Sequence, residues 1–394
     1  MDERGQAPDP LDRPAVGQLF NRYLPITENW IWEQLRQLRD FRPVVLARRT
    51  DNLAAFPLAS VHSAGAQPRW RRAASRVREA VAGYTPLHVA AARAEGVRLM
   101  HAHFGPVAAW GVTLAARIGV PLIASFYGFD LGRHPRGRAG LSARYARLFE
   151  RGAAFVVEGP AAGRRLLALG CPEERIVVHH LGVDPDRIPF RQRNRAPGEP
   201  LRVLMAARFT EKKGLTYGLE AIARALAEGA SLSATVVGDA GRGAADQRVK
   251  RELHALVERH GLDDRVRFTG RVPVDEYRRL LYEHDVLLQP SVEAADGDCE
   301  GGLPVSLIEA AASGMALIGT RHSDIPEVVK PGVTGWLCDE RDVAGLTDAL
   351  MKAAENADRL ALLAAGGRRL IEAEYDARRA TLDPVYARVL AAHA

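Results

Sequence analysis

The stretch "DCEGGLPVSLIEAAASG" (298–314) places two carboxylates around the start of a helix. Glu300 precedes Gly301 and Gly302, and Glu309 falls among Leu307, Ile308, Ala311 and Ala312. A charge on so apolar a helix face needs a partner, because burying it alone is costly. Pro304 suits the first helical turn, where its missing N–H costs nothing. The glycines before it let backbone N–H groups approach a ligand closely, and a helix N-terminus favours an anion. Glu300, beside that entrance, can accept hydrogen bonds from hydroxyl groups. The plainer alternative is a Glu309 facing water and a Glu300 that only complements the helix dipole.

A second group of matching chemistry lies upstream. "ARFTEKKG" (207–214) carries Arg208, Lys212, Lys213 and Gly214 just after a strand-like run. Cations clustered at a strand end suit a diphosphate. The same letters also describe a solvated lysine turn before a helix.

These groups need a scaffold, and the chain supplies the pattern of one. Short apolar runs alternate with helical patterns, which implies an α/β chain with parallel sheets. Strands are expected at 43–49, 97–104, 121–128, 153–159 and 175–182, with helices between them such as 106–117 and 140–151. A second series is expected at 201–208, 232–239, 265–272, 285–291, 316–320 and 335–339. The segment 183–200 is rich in Pro, Asp and Arg and lacks periodicity, so it reads as a connection between the two series. The expected division is a first domain over 1–185 with a poorly ordered lead-in at 1–16, a linker at 186–200 and a second domain over 201–374. Residues 375–394 are expected to cross back to the first domain. The fold class is α/β, two Rossmann-like domains facing across a cleft, where ligands bind beyond the C-terminal strand ends.

Composition bounds the rest. The 394 residues suggest two or three domains at roughly 100–200 residues each. Residues 1–190 hold 26 Arg and no Lys against 17 acids, so this half is basic while the remainder is slightly acidic. That asymmetry points to an anionic partner or a membrane surface, or simply to an arginine-rich solvated surface. The three cysteines, Cys171, Cys299 and Cys338, have no metal-like spacing, and their odd number fits a reducing compartment. The N-terminal letters do not resemble a signal peptide, and no run of about 18 apolar residues suggests a membrane span. A cytoplasmic location, at most at the inner face of a membrane, is the expectation.

The strings "RFTEKKG", "VVGD", "QPS", "EGGLPVSLIEAAASG", "TRHSDIPEVV" and "GVTGWL" occur in the order seen in family 4 retaining glycosyltransferases of the GT-B fold, which the chain resembles. The resemblance is close over most of 201–340 and looser before it, at "HAHFG", "SFYGFDL" and "HHLGVD"; it is nearest to the exopolysaccharide and glycoconjugate branch. It implies transfer of a hexose-type sugar from a nucleoside-diphosphate donor, UDP being the commonest, to a glycan, lipid-linked or small-molecule acceptor. It further implies that Arg208 and Lys213 contact the donor diphosphate and that Gly301, Gly302 and Leu303 offer backbone N–H groups. Glu300 would hold the donor sugar and Glu309 the ribose. No cofactor or metal is expected, since protein cations can stabilise the departing phosphate. "DGD" (296–298) matches a metal-binding motif only by letter.

The chain departs from the family pattern at three places. Eight residues, not seven, separate Glu300 from Glu309, because "EGGLP" is one glycine longer than the usual form. Tyr127 stands where many relatives carry a histidine near the reacting sugar, and a phenol is a poor base near pH 7. His101 and His103, on one face of the preceding strand, are the nearest substitutes, or else a structural pair. Asp130 either orients the acceptor or caps a helix. In place of a glycine-rich turn after the first strand comes "YLPITENWIWEQLRQL" (23–38), where Thr27 or Asn29 can cap a helix and Trp30 and Trp32 read as core anchors.

Three other functions fit parts of the sequence. A nucleotide-sugar epimerase shares the fold. A non-catalytic nucleotide- or glycan-binding protein would keep the site without turnover. A dehydrogenase would need Gly-x-Gly-x-x-Gly after an early strand, and "GDAGRG" (238–243) lacks that spacing. The basic run Arg69–Arg78 reads as a peripheral contact with anionic lipid or as a solvated helix face. With Trp70 as its only aromatic residue, nucleic acid is not an expected partner.

Overall fold

The structure is a computed structural model and describes residues 12–68, 70, 72–73, 79, 83–128, 130–132, 141–196 and 198–394. The chain divides into two units, one ending at Leu181 and completed by Arg379–Ala394, the other Gly182–Arg378. Each is built on a parallel sheet.

The first unit carries β1 (Ala15–Tyr23), β2 (Arg42–Thr50), β3 (Val61–Ser63), β4 (Val97–His103), β5 (Leu122–Phe126), β6 (Ala154–Val157) and β7 (Ile176–Val178). Their spatial order is β3-β2-β1-β4-β5-β6-β7. The order in which successive strands are added reverses between β1 and β4, which is where such sheets open a ligand crevice. Side chains alternate across the sheet: Val44 and Leu46 pack into one core and Val45 and Ala47 into the other. The C-terminal helix Asp383–Ala391 covers the second face, burying Val385, Tyr386 and Val389 there.

The second unit carries β8 (Leu201–Ala206), β9 (Leu232–Val237), β10 (Val266–Gly270), β11 (Val286–Gln289), β12 (Ala316–Thr320) and β13 (Gly335–Cys338). The order is β10-β9-β8-β11-β12-β13, with the corresponding switch between β8 and β11. Two apolar clusters sandwich this sheet. Val203, Met205 and Leu288 face one, and Leu204, Leu287 and Leu317 the other.

All eleven strands expected from sequence are present, but β1 and β3 were not among them. In β1, Gly17 and Gln18 interrupt the apolar run, yet Gln18 is fully buried and hydrogen-bonded. The β3 strand has three half-buried residues and no pattern to read. The expected disordered lead-in is corrected at its end, because β1 begins at Ala15; residues 1–11 lie outside the described residues. The expected linker 186–200 is not a free connection. Ile188 is buried in the second unit, and the Arg193 guanidinium donates to the carbonyls of Leu281, His284 and Ser313. Tyr375–Arg378 also belong to the second unit, so the change of unit falls after Arg378 rather than at 375.

Trp30 and Trp32 do pack against the core of the first unit. The expected Asn29 cap is absent: Asn29 is the first residue of the helix Asn29–Arg36, and the preceding Glu28 makes no side-chain cap bond. The side chain of Thr27 lies outside the described set, as does most of the basic run Arg69–Arg78, of which Trp70, Arg72 and Ala73 are described. Trp70 is 69% exposed.

Candidate functional site

After β8 the chain leaves the sheet through Arg208 and makes one tight turn, Glu211–Lys213, closed by Gly214. Gly214 has φ +60°, and a Cβ there would lie 1.8 Å from the Pro290 carbonyl oxygen. Only glycine lets the turn press against the end of β11. That contact carries Lys213 to the loop of residues 290–304. Its ammonium lies 2.8 Å from Glu300 Oε1 and 2.9 Å from Oε2. The Ser291 hydroxyl donates to Oε1 at 2.8 Å and accepts from the Gln289 amide at 2.7 Å. Lys212 secures the same loop, donating to the Cys299 carbonyl at 2.8 Å and to Asp298 at 3.1 Å.

The backbone of Glu300 is held as firmly as its side chain. Its N–H donates to His322 Nε2 at 3.0 Å, so His322 carries its proton on Nδ1 and donates it to Glu340 at 2.7 Å. The Ser323 hydroxyl donates to the Glu300 carbonyl. Glu300 is 6% exposed. Burial by itself would raise its carboxyl, but the Lys213 and Lys212 charges and the Lys213 and Ser291 hydrogen bonds outweigh this and pull it down to about 2. Lys213 is lowered by burial and by the Lys212 and Arg208 charges, against the opposing pull of Glu300. Arg208 therefore stands within electrostatic range of Lys213; its own side chain is exposed and has no ion pair among the described residues.

Gly301, Gly302 and Leu303 follow, all buried, leading into the helix Val305–Ser313 with Pro304 as its N-cap residue rather than a first-turn residue. The N–H groups of Gly301, Gly302 and Leu303 donate to no acceptor among the described residues. Unpaired donors ahead of a helix, near the Lys213–Glu300 pair, are groups of the kind that can receive an anion at the C-terminal edge of the sheet.

Glu309 lies apart from this cluster. It is half-buried on the same helix, beside Tyr277 and Arg278 of the helix Val274–Glu283. Burial raises its carboxyl to about 7 despite those neighbours. The Tyr277 hydroxyl next to it is buried and lacks a partner in hydrogen-bonding geometry. Both residues lie in the N-terminal halves of helices that follow strand ends, so they belong to the same edge of the sheet.

In the first unit the structure corrects the acceptor-side expectations. His101 and His103 are fully buried, and both nitrogens of each ring are already bonded. Tyr127 Oη meets His103 Nδ1 at 2.8 Å, and His103 Nε2 meets Gln18 Oε1 at 2.9 Å. The Gln18 amide donates to Tyr386 Oη at 3.2 Å, which meets His101 Nδ1 at 2.7 Å; His101 Nε2 meets Ser125 Oγ at 2.7 Å. Burial keeps both imidazoles neutral, lowering His101 to about 3 with a further push from His179, and His103 well below its usual value with a further push from His101. Neither has a nitrogen left to serve as a base. They link the C-terminal helix to Tyr127, whose phenol burial raises further. Asp130 is likewise committed. It accepts from the N–H groups of Gly105, Tyr127 and Gly128 at 2.8–3.0 Å, which caps the helix Gly105–Ile118 from across the β5 loop.

Sequence reasoning missed Ser291, Tyr277, His322 and Glu340. Ser291 and His322 stand inside the strings "QPS" and "TRHSDIPEVV" and were legible as positions, though not as supports of Glu300. Nothing marked Tyr277. The "DGD" letters resolve into structure: Asp298 pairs with Lys212, and Asp296 accepts from the Asp298 N–H.

Comparison with known proteins bears on the family and the fold. Residues 186–369 match the model of glycosyl transferases group 1, and residues 28–187 match that of glycosyltransferase family 4. The chain is 36% identical over 254 residues to the putative colanic acid biosynthesis glycosyltransferase WcaL of Salmonella typhimurium, covering 63% of this chain and 59% of that protein. It is 33% identical over 232 residues to the amylovoran biosynthesis glycosyltransferase AmsK of Erwinia amylovora, covering 59% of this chain and 55% of that one. The chain thus spans a little over half the length of these relatives. Among solved structures, Anabaena HepE in complex with UDP-glucose superposes with a TM-score of 0.74 at 17% identity, covering 95% of this chain and 99% of that one. Sucrose-phosphate synthase of Thermosynechococcus elongatus gives 0.71 at 18%, covering 96% and 100%. At such identities the likeness speaks for the two-Rossmann GT-B fold alone. Taken together, the two family models span residues 28–369, and the chain belongs to the family 4 glycosyltransferases.

Proposed function

We propose that the protein transfers a hexose, with retention at the anomeric carbon, from a UDP-sugar to a hydroxyl group of a glycan in exopolysaccharide synthesis. The observation that carries this reading is the Lys213–Glu300 pair beside Arg208 and the open N–H groups of Gly301, Gly302 and Leu303. Arg208, Lys213 and those donors hold the diphosphate and neutralise the charge that grows on it as the sugar leaves. Protein cations thereby do the work that a divalent metal does elsewhere. Glu300 acts first on Lys213, fixing its position, and presents its remaining acceptor capacity to the donor sugar. Glu309 and Tyr277 bind the ribose. The second unit is the donor domain and the first the acceptor domain, the latter without catalytic use of His101 or His103.

Two comparisons support the choice of donor and acceptor class. HepE is described in complex with UDP-glucose, and WcaL and AmsK are named for polysaccharide synthesis. No helix among the described residues is long and apolar enough to cross a membrane. A cytoplasmic site of action suits a nucleotide-sugar donor. The test is a thermal-shift panel of UDP-, GDP-, dTDP- and ADP-sugars on the full chain. A donor at 100 times its dissociation constant stabilises by about 2.7 kcal/mol. A shift with UDP-hexoses that Lys213→Met removes supports the reading; equal shifts with all four bases, or none, would overturn it.

A further inference from the structure

The first unit holds a cavity of about 1180 Å³ at the C-terminal ends of β1, β2 and β3. Six arginines line it: Arg22, Arg48, Arg49, Arg72, Arg144 and Arg147. Among the described residues the acids in its wall are Asp51 and Glu79, and each already engages one arginine, Asp51 with Arg22 and Glu79 with Arg48. The side chains of Arg49, Arg144 and Arg147 have no ion pair or hydrogen bond among the described residues. Among the described lining residues six arginines against two acids leave a surplus of four positive charges in a concave wall, where low-dielectric surroundings strengthen their field.

Two further features mark its wall. The Arg48 guanidinium stacks over Trp110 with its carbon 4.2 Å from the ring centroid, and both Arg48 Nε and Trp110 Nε1 are buried without a hydrogen-bond partner. The stack fixes Arg48 in the wall, where its guanidinium also pairs with Glu79. The cavity also continues into a second space of about 580 Å³, sharing Asn21, Arg22, Arg48, Trp110 and Arg144 with it. Phe20 of β1 and Phe104, just past β4, line this second space, so it occupies the crevice where the strand order reverses. The two spaces together exceed the roughly 300–1,000 Å³ of ordinary small-ligand pockets. They suit several linked sugar rings rather than one.

We propose that this arginine-walled cavity binds the acceptor through an anionic group, a phosphate ester or a uronate carboxylate, on a saccharide whose neutral part lies in the adjoining crevice. The assignment of this ligand as acceptor rests on the glycosyltransferase reading; the anion site itself does not. Guanidinium groups take phosphate and carboxylate oxygens in paired hydrogen bonds, so both sources share one chemistry. A recessed wall selects a discrete anionic group over the plane of a bilayer.

Calorimetric titration of the full chain, with UDP saturating the donor site, tests this. The probes are tetragalacturonate, inorganic pyrophosphate and neutral maltotetraose, with phosphatidylglycerol vesicles as a separate arm. One or both anionic probes are expected to bind more tightly than maltotetraose, weakening as salt rises. Which of the two binds tells carboxylate from phosphate. The double variant Arg144→Gln/Arg147→Gln, on an exposed helix face, is expected to weaken that binding roughly tenfold or more, with UDP affinity unchanged. Lys213→Met is expected to do the reverse. Anionic-probe binding with no UDP-sugar binding would sink the transferase reading and leave the anion site standing. Equal affinity for maltotetraose and the anionic probes, indifference to the arginine substitutions, or binding to vesicles alone would overturn the proposal.

Discussion

Replacing Lys213 with Met leaves the Glu300 carboxylate buried at 6% exposure with its nearest cation gone. At 2.8 Å and an effective dielectric of about 20, the lost Coulomb attraction is about 6 kcal/mol before desolvation is subtracted. Removal of one partner from a buried pair costs about 3–5 kcal/mol in practice. The variant has one escape, which is to protonate Glu300. From an ordinary carboxyl value near 4.5 that costs about 3 kcal/mol at pH 7 and less than about 1 kcal/mol at pH 5. In the wild-type protein the folded carboxyl is pulled down to about 2, so its contribution is present above the unfolded value and is lost only as pH falls through the folded one. Wild type thus changes little through this pair between pH 7 and pH 5, whereas the variant recovers. Urea unfolding of both proteins should show a deficit of about 3 kcal/mol at pH 7 that shrinks by about 2 kcal/mol at pH 5. Adding Glu300→Gln, which removes the stranded charge but keeps a partner for Ser291, should restore most of the pH 7 loss. A deficit of equal size at both pH values, or no recovery in the double variant, would refute the buried-pair argument.

Other outcomes follow from the same geometry. Gly214→Ala forces a Cβ into the Pro290 carbonyl at positive φ, and should cost about 2 kcal/mol or more and weaken UDP binding together with stability, read by thermal shift with and without UDP. Glu309, raised to about 7 by burial, contributes stability that is fully present below its unfolded value and is lost as pH rises through 7; Glu309→Gln should flatten that fall in a pH series of melting temperatures. The same substitution should remove the rise in UDP affinity between pH 6 and pH 8 that an ionising ribose acceptor implies. Tyr386→Phe strands the Gln18 amide and leaves His101 Nδ1 without its partner, and should destabilise by about 1–3 kcal/mol in urea, with nucleotide-sugar affinity unchanged.

Much of this was readable in the letters, for identifiable reasons. Parallel strands buried on both faces are runs of Val, Ile and Leu, and eleven of them stood out between turn residues. The diphosphate cluster was legible because Gly214, Lys213, Glu300 and the two glycines lie in two short strings. The pairing of Lys213 with Glu300 was not, since it joins residues 87 apart through a turn whose fit against Pro290 no pattern records. His101 and His103 misled for a physical reason. Alternation placed them correctly on one face, but the sequence does not show that the C-terminal helix brings Tyr386, and β1 brings Gln18, to occupy their nitrogens. Gln18 also hid its own strand, because a buried glutamine reads as exposed until its partners are known. The arginine-walled cavity was visible only as a charge imbalance in residues 1–190; its shape depends on three strand ends and two helices meeting in space.

The central claim is that Arg208, Lys213 and the open helix entrance grip a diphosphate, and calorimetric titration with UDP and with uridine measures this most directly. UDP should bind at least a hundredfold more tightly than uridine, on the order of two to three charge-assisted hydrogen bonds. Arg208→Ala should erase about a tenfold share of that advantage without touching uridine. Comparable affinities for the two ligands, or an Arg208→Ala variant that binds UDP as wild type does, would contradict the account.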